Sequence, residues 1–441
     1  MTLNKRKILT SAFLPGIFGL LGTSLYVLGD TLIVGQALGR EGLASLNLSI
    51  PMINVMQGLG LLLGFGGATA MSHALGRGDS KRAKAWAEKT LTWSLILGLL
   101  LLLLLQLFFT TLVNFLTGGG DALPGAREYL GILLWFSPVY ILFQSLIVLL
   151  RNDGNAKLAM TALLLCSALN VALDALFIFG FGWGLFGAGL ATGIAQVVGL
   201  LITLLHFKNA KVLKNLRPRL ELPFRLMGKG MASFVMELSQ GVVIFAFNAV
   251  LLSLVGEIGV SSYAIIANLS LMFTAVFLGL SQGAQPLFAT AKGAGDEKMF
   301  QALLRFSQQV SWILSLGVVA VCMAFPKLLA SIFISGDPEV LKMTLTGLRL
   351  YSLGFLFLGF NLVGTIALQS AAKSKQAFIF AVARGMMMLI AFMLGLKSII
   401  GILGVWLTFF ASELVGFIWM NIMLANERKT PSSITAELQS R

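Results

Sequence analysis

"ALGRGD" at 74–79 returns as "AKGAGD" at 291–296, 217 residues further on. The same offset carries Gly39 and Gly42 onto Gly256 and Gly259, Gly66 onto Gly283, and Gly187 onto Gly404. Gapless matches at one offset, spread over most of each half, describe a chain built twice from one plan. Within the quoted turn the glycines permit the reversal, and Asp79 or Asp296 is placed to cap a short helix after it. The basic residues that follow the first turn, Lys81, Arg82, Lys84 and Lys89, are expected to face solvent and lipid headgroups.

What is repeated is apolar. The 441 residues are 57% hydrophobic and 11% charged, with a mean hydropathy of +0.90, whereas soluble domains carry about 25% charged residues. Stretches of the roughly 20 residues needed to cross a bilayer recur at 9–36, 47–75, 91–116, 129–150, 158–179, 187–206, 228–255, 261–290, 305–333, 344–370, 378–396 and 403–424. The opening residues resemble the basic and apolar parts of a signal peptide, but the apolar run continues too far, and it reads as the first span. The expected fold is an all-α polytopic membrane protein, twelve transmembrane helices in two pseudo-symmetric six-helix lobes. Its boundaries fall at 1–206 for the N-terminal lobe, 207–227 for a cytoplasmic linker, 228–424 for the C-terminal lobe and 425–441 for a cytoplasmic tail. An even number of spans per half makes the repeats parallel, with a substrate site expected between them.

The formal charge of +14 does not require a nucleic acid partner. With both termini cytoplasmic, most of the 32 Lys/Arg fall on the inner side, as the positive-inside rule demands. The clusters at 76–89 and 206–225 need only anionic membrane lipid as a counterpart. Cys166 and Cys322 each lie within a span and suggest no disulfide framework. His73 and His206 are far apart, and no metal-ligand spacing, nucleotide loop or nucleophile–base pair is found. The sequence therefore favours a multi-pass transporter of the cell membrane, monomeric, without a cofactor and without enzymatic chemistry.

Four acidic residues lie within spans: Asp30, Asp174, Glu237 and Glu413. A charge at the bilayer centre costs at least about 2.5–3.5 kcal/mol, so such residues usually line a cavity or an ion path. Asp30 has Tyr26 one helical turn before it, and Asp174 has Asn170, so each carboxylate shares a face with an oxygen-bearing neighbour. Both lie in the outer half of the membrane on the expected topology, at a depth that lets them meet. Two adjacent carboxylates need either a shared proton or a cation. Carboxylate, amide, hydroxyl and phenol oxygens suit a hard ion such as Na⁺, and Thr192 in "GLATG" is a further candidate ligand. At the repeat offset, Asp174 falls on Ala391, Asn170 on Met387 and Asp30 on Phe247, so the second half keeps the scaffold without these groups.

Glu237 has two readings, a cavity carboxylate for a cationic substrate or a partner for Arg384. Glu413 has no evident partner and is expected to serve helix packing. Gln282 and Gln285 flank the region of Pro286, whose ring frees a backbone carbonyl, and are expected to line a cavity.

The stretches "LYVLGDTLIVGQALG" (25–39), "LGRGDSKRAKAWAEKTL" (75–91), "LNVALDALFIFGFGWGLFGAGLATGIAQ" (169–196) and "SQGAQPLFATAKGAGD" (281–296) together resemble the multidrug and toxic compound extrusion (MATE) transporters. The resemblance covers essentially the whole chain. It implies a V-shaped antiporter exporting amphipathic, mostly cationic compounds by alternating access against entering Na⁺ or H⁺. It also implies an N-lobe ion site at Asp30, Asn170, Asp174 and Thr192, with Tyr26 beside it, and an acidic cavity residue at Glu237. The tenth span departs from some branches by having Asn361 where they carry an aspartate, which concentrates the ion site in the N lobe and leaves Asn361 as an expected cavity residue. A flippase for lipid-linked saccharides, from the same superfamily, is the alternative; its pyrophosphate cargo would need basic cavity residues, for which Arg384 is the one candidate.

Overall fold

The structure is a computed structural model, and it describes residues 4–117, 123–208, 210–333 and 337–429. Among them ten helices are long and apolar enough to cross a membrane. The first, Lys5–Gly76, has 72 residues and would run roughly 110 Å if straight, far beyond the about 30 Å of a hydrocarbon core. It is broken at Gly39 (φ 62°, ψ −149°) into α1 (5–38) and α2 (40–76). The others are α3 (Ser80–Leu107), α4 (Pro124–Asn152), α5 (Ala156–Gly180), α6 (Gly184–Phe207), α7 (Phe224–Val255), α8 (Glu257–Gly293), α9 (Glu297–Ala324), α11 (Ser374–Ile400) and α12 (Ile402–Ala425). Between α9 and α11, α10 is a pair of helices, Pro338–Ser352 and Phe355–Ser370, bent by 45°. Twelve crossings result, as the hydropathy predicts, and no strand occurs among the described residues.

The repeat is written in backbone geometry. Gly256, the counterpart of Gly39, separates α7 from α8 with φ 69° and ψ −150°. These left-handed angles are open to glycine at little cost and strained for other residues. Asp79 and Asp296 do cap helices, their carboxylates accepting from Arg82 N and Met299 N at 2.9 Å each. The capped helix is not short, however: it continues without interruption as α3 or α9 into the membrane. Nor do all its lysines face solvent. Lys89 is buried, lies 3.5 Å from Glu221 of the 210–223 segment and sits over the Trp86 ring.

Three apolar cores explain the shape. One is formed only by residues of the first half, such as Val34, Met56, Tyr129 and Ile178, and a second only by later ones such as Phe247, Tyr263, Tyr351 and Trp406. The third joins both halves, packing Phe65, Met71 and Leu149 with Phe288, Phe300 and Phe380. The two lobes are thus separate at one end and fused at the other, the end that carries the 77–79 and 294–296 turns. Glycines make the fusion close. A methyl at Gly66 would meet the carbonyl of Leu226, one at Gly283 that of Ala12, and one at Gly16 that of Gly279. The repeated pair Gly66 and Gly283 therefore marks where α2 touches α7 and α8 touches α1, in keeping with small residues letting membrane helices approach.

Candidate functional site

Between the lobes lies a cavity of about 210 Å³ lined by Tyr26, Asp30, Gln57, Tyr129, Arg151, Thr192, Glu237 and Gln282, among others. It continues, through Leu61, Glu237, Gln240 and Gln282, into a second cavity of about 140 Å³ within the C-terminal lobe. Asp30 is held on α1 and Asp174 near the end of α5, where the helix widens into a π-turn at Leu176–Gly180. Their carboxyl groups lie side by side, close enough to interact directly, and both are buried. Asn170 donates through Nδ2 to Thr192 Oγ1 at 3.2 Å, which ties α5 to α6. Asp30 and Thr192 face the cavity, while Asp174 and Asn170 lie behind them.

The oxygens left over are informative. Asp30 Oδ1, both oxygens of Asp174 and Asn170 Oδ1 are buried without a hydrogen-bond donor. Buried acceptors are ordinarily paired, so four unmet oxygens in one cluster suit a proton or a hard cation. Asp30, Asn170, Asp174 and Thr192 are the residues that could hold Na⁺. Tyr129, which the sequence reading passed over, meets Thr192 and lies in the field of both aspartates. Its signal was available: a phenol in a chain with 5 Tyr, at the outer end of a span.

Tyr26 lies beside Tyr140. Tyr140 Oη donates to Gln57 Oε1 at 3.2 Å, and Gln57 Nε2 donates to Glu237 Oε1 at 2.8 Å. A continuous polar chain thereby connects the neighbourhood of Asp30 to the C-terminal lobe's cavity carboxylate. The alternative reading of Glu237 as the partner of Arg384 is not what the structure has. Arg384 pairs with Glu413, which also accepts from Asn361 Nδ2 at 2.7 Å. Glu413 is consequently one member of a buried ion pair, not simply a packing residue.

Gln282 lines the cavity as expected, accepting from Arg151 Nη1. Gln285 and Asn361 do not line it, because both are fully buried between helices. Gln285 accepts from Asn152 Nδ2 at 2.8 Å and donates to Thr69 Oγ1 at 3.1 Å, joining the lobes. His73 Nε2 and the Ser370 carbonyl, 2.6 Å apart, add a second polar tie at this end. Arg151, one residue past the expected end of the fourth span and not singled out in the sequence, turns inward to the cavity wall.

Two helical lobes fused at one end, with an inter-lobe cavity and a polar cluster set in one lobe, define a multi-pass membrane transporter. The MatE family model matches residues 15–176 and 232–396, and the chain belongs to that family. It is 27% identical over 435 residues to the multidrug export protein MepA of Staphylococcus aureus, covering 95% of this chain and 93% of that one. To MepA of Staphylococcus haemolyticus it is 26% identical over 423 residues, covering 93% and 91%. Among solved structures, an outward-facing MATE transporter of the MOP superfamily matches with a TM-score of 0.89 at 24% identity, covering 97% of each chain. A MOP-superfamily transporter from Pyrococcus furiosus, reported to have a binding pocket of reversed polarity suggesting a different function, matches with 0.87 at 24% identity and 97% of each chain.

Proposed function

We propose that the protein exports amphipathic, mostly cationic compounds across the cell membrane by alternating access, in exchange for Na⁺ or H⁺. The observation that carries the reading is the cluster of unmet oxygens on Asp30, Asp174 and Asn170 beside the inter-lobe cavity. With the turns at 77–79 and 294–296, and the Lys81, Arg82, Lys84, Lys292 and Lys298 that flank them, on the inner side by the positive-inside rule, the fused end is cytoplasmic and the cavity opens outward. A cation entering from outside reaches Asp30 first, then Asp174 behind it. Neutralising the cluster favours whichever state brings the oxygens together, and the ion's differential affinity for the two states sets the driving force. Cationic compounds are drawn by Glu237 and the apolar wall of Leu61, Ile244 and Leu278. The names of the MepA relatives, multidrug export proteins, support the substrate class. The flippase reading is less favoured: its sequence candidate Arg384 is already paired with Glu413, and the cavity sets Arg151, bound to Gln282, against the carboxylates of Asp30 and Glu237.

The test is efflux of a cationic dye from proteoliposomes under an imposed Na⁺ or H⁺ gradient. Asp30→Asn and Asp174→Asn proteins are expected to lose gradient-driven efflux by at least tenfold. Wild-type, gradient-driven rates in both would sink the proposal.

A further inference from the structure

We propose that the junction of the two lobes binds one anionic phospholipid of the inner leaflet, with its acyl chain in a groove between α3 and the start of α7 and its phosphate on Arg77, Arg225 and Lys229. The groove measures about 200 Å³, comparable to the inter-lobe cavity, and shares no lining residue with it. Leu63 of α2, Trp93 and Leu97 of α3, Leu222 of the linker, and Phe224 and Met227 of α7 line it. The indole Nε1 of Trp93 already donates to the Glu221 carbonyl at 2.8 Å, so the walls offer nothing to water. Leu222 and Phe224 are themselves exposed, as is Leu220 beside them, so the groove opens on the molecular surface. Exposed apolar surface of this kind, next to a tryptophan and flanked by basic residues, belongs at the membrane interface.

Charge decides which lipid. Arg225 and Lys229 are four residues apart on α7 and so share a face, and Lys229 lies in the field of both Arg225 and Arg77. Its ammonium is held over the Trp86 ring, 5.8 Å from the centroid. None of the three cations has a carboxylate within ion-pair distance among the described residues. Glu88 and Glu221, the acids of this flank, are taken by Arg219 and Lys89. Like charges gathered without a counterion repel, and a phosphate supplies the oxygens that a guanidinium fork matches. The N-terminus of α7 has no side-chain cap here, and its partial positive charge adds to theirs. Basic pockets between transmembrane helices on the cytoplasmic side hold anionic headgroups in this way. Arg77 follows α2 in the N-terminal lobe while Arg225 and Lys229 belong to the C-terminal one. A bound phosphate therefore bridges the lobes, beside the contact of Gly66 with the Leu226 carbonyl. The site is more than diffuse attraction of a basic linker to a charged surface, and it stands whatever compound or ion the protein carries.

The experiment is native mass spectrometry of the full-length protein, delipidated in detergent and titrated with phosphatidylglycerol or phosphatidylcholine of identical acyl chains. Wild type is expected to retain one phosphatidylglycerol, with a dissociation constant at least tenfold below that for phosphatidylcholine. Arg225→Gln/Lys229→Gln should erase that preference, and Arg77→Gln serves in its place if the double variant does not fold. Leu97→Trp, which fills the groove and leaves every cation in place, should weaken phosphatidylglycerol binding by at least tenfold. Millimolar inorganic phosphate should leave the lipid bound. The proposal is overturned if wild type retains no phosphatidylglycerol or binds both lipids equally. It is overturned too if binding is unchanged in a folded charge variant or in the folded groove variant. Displacement by inorganic phosphate would make this a plain anion site and count against a lipid in the groove.

Discussion

Replacing Gly283 by alanine tests whether the fused end of the two lobes parts during transport. A methyl at this position would run into the backbone carbonyl of Ala12 and lie against the Cα of Phe13. Neither atom can swing aside as a side chain would. Overpacking of a tight contact costs about 1–3 kcal/mol, and here the cost falls only on the state in which α8 touches α1. If the alternate state opens this seam, the variant shifts the equilibrium towards it by roughly 5- to 150-fold, the equivalent of 1–3 kcal/mol. Spin labels at Lys81 and Lys298, both exposed and on opposite lobes near this end, would report the change as a growing population at longer distance. Cys166 and Cys322 are replaced beforehand so that labelling is confined to the two sites. Distance distributions identical to wild type, in a variant shown to be less stable by thermal unfolding, would refute the reasoning. The methyl would then have been accommodated without the seam opening.

Two further outcomes follow from buried charges. Glu413→Leu strands Arg384, which is buried, and should lower stability by about 3–5 kcal/mol, read as a depressed unfolding temperature in detergent; the double change Arg384→Leu/Glu413→Leu should recover most of the loss. Asp153 accepts from Lys211 N at 3.1 Å, Val212 N at 2.9 Å and His206 Nε2 at 2.7 Å, pinning the inter-lobe segment to the end of α4. Asp153→Ala removes two backbone hydrogen bonds to a charged acceptor, each worth about 1.5–3 kcal/mol, and trypsin should cleave at Lys211 or Lys214 at least tenfold faster; an unchanged rate would count against this anchoring.

The architecture was legible because hydropathy and the 217-residue offset report covalent regularities that the chain carries along its length. Even so, Gly39 was read only as a repeated glycine, and its left-handed angles, which divide a 72-residue helix, required coordinates. The grouping of Asp30 and Asp174 was foreseen since each aspartate had an oxygen-bearing neighbour one turn away, a local relation fixed by helical periodicity. Pairings between distant helices obey no such period. Glu413 with Arg384 and Asn361, Gln57 with Glu237, and Gln285 with Asn152 all join positions whose proximity depends on how helices cross. Arg151 was passed over for a related reason: a basic residue at a span's end ordinarily snorkels outward, and only packing shows that this one points in.

The most direct test of the proposed ion site is a count of cations held by the purified protein at neutral pH. Bound ²²Na⁺ and retained protons would be measured together, on wild type and on the Asp30→Asn/Asp174→Asn protein. Because the paired carboxylates of Asp30 and Asp174 require a shared proton or an alkali ion between them, wild type should hold one more cation per molecule than the variant. An equal count in the two proteins, both folded, would contradict the assignment of Asp30, Asn170, Asp174 and Thr192 as the coupling site.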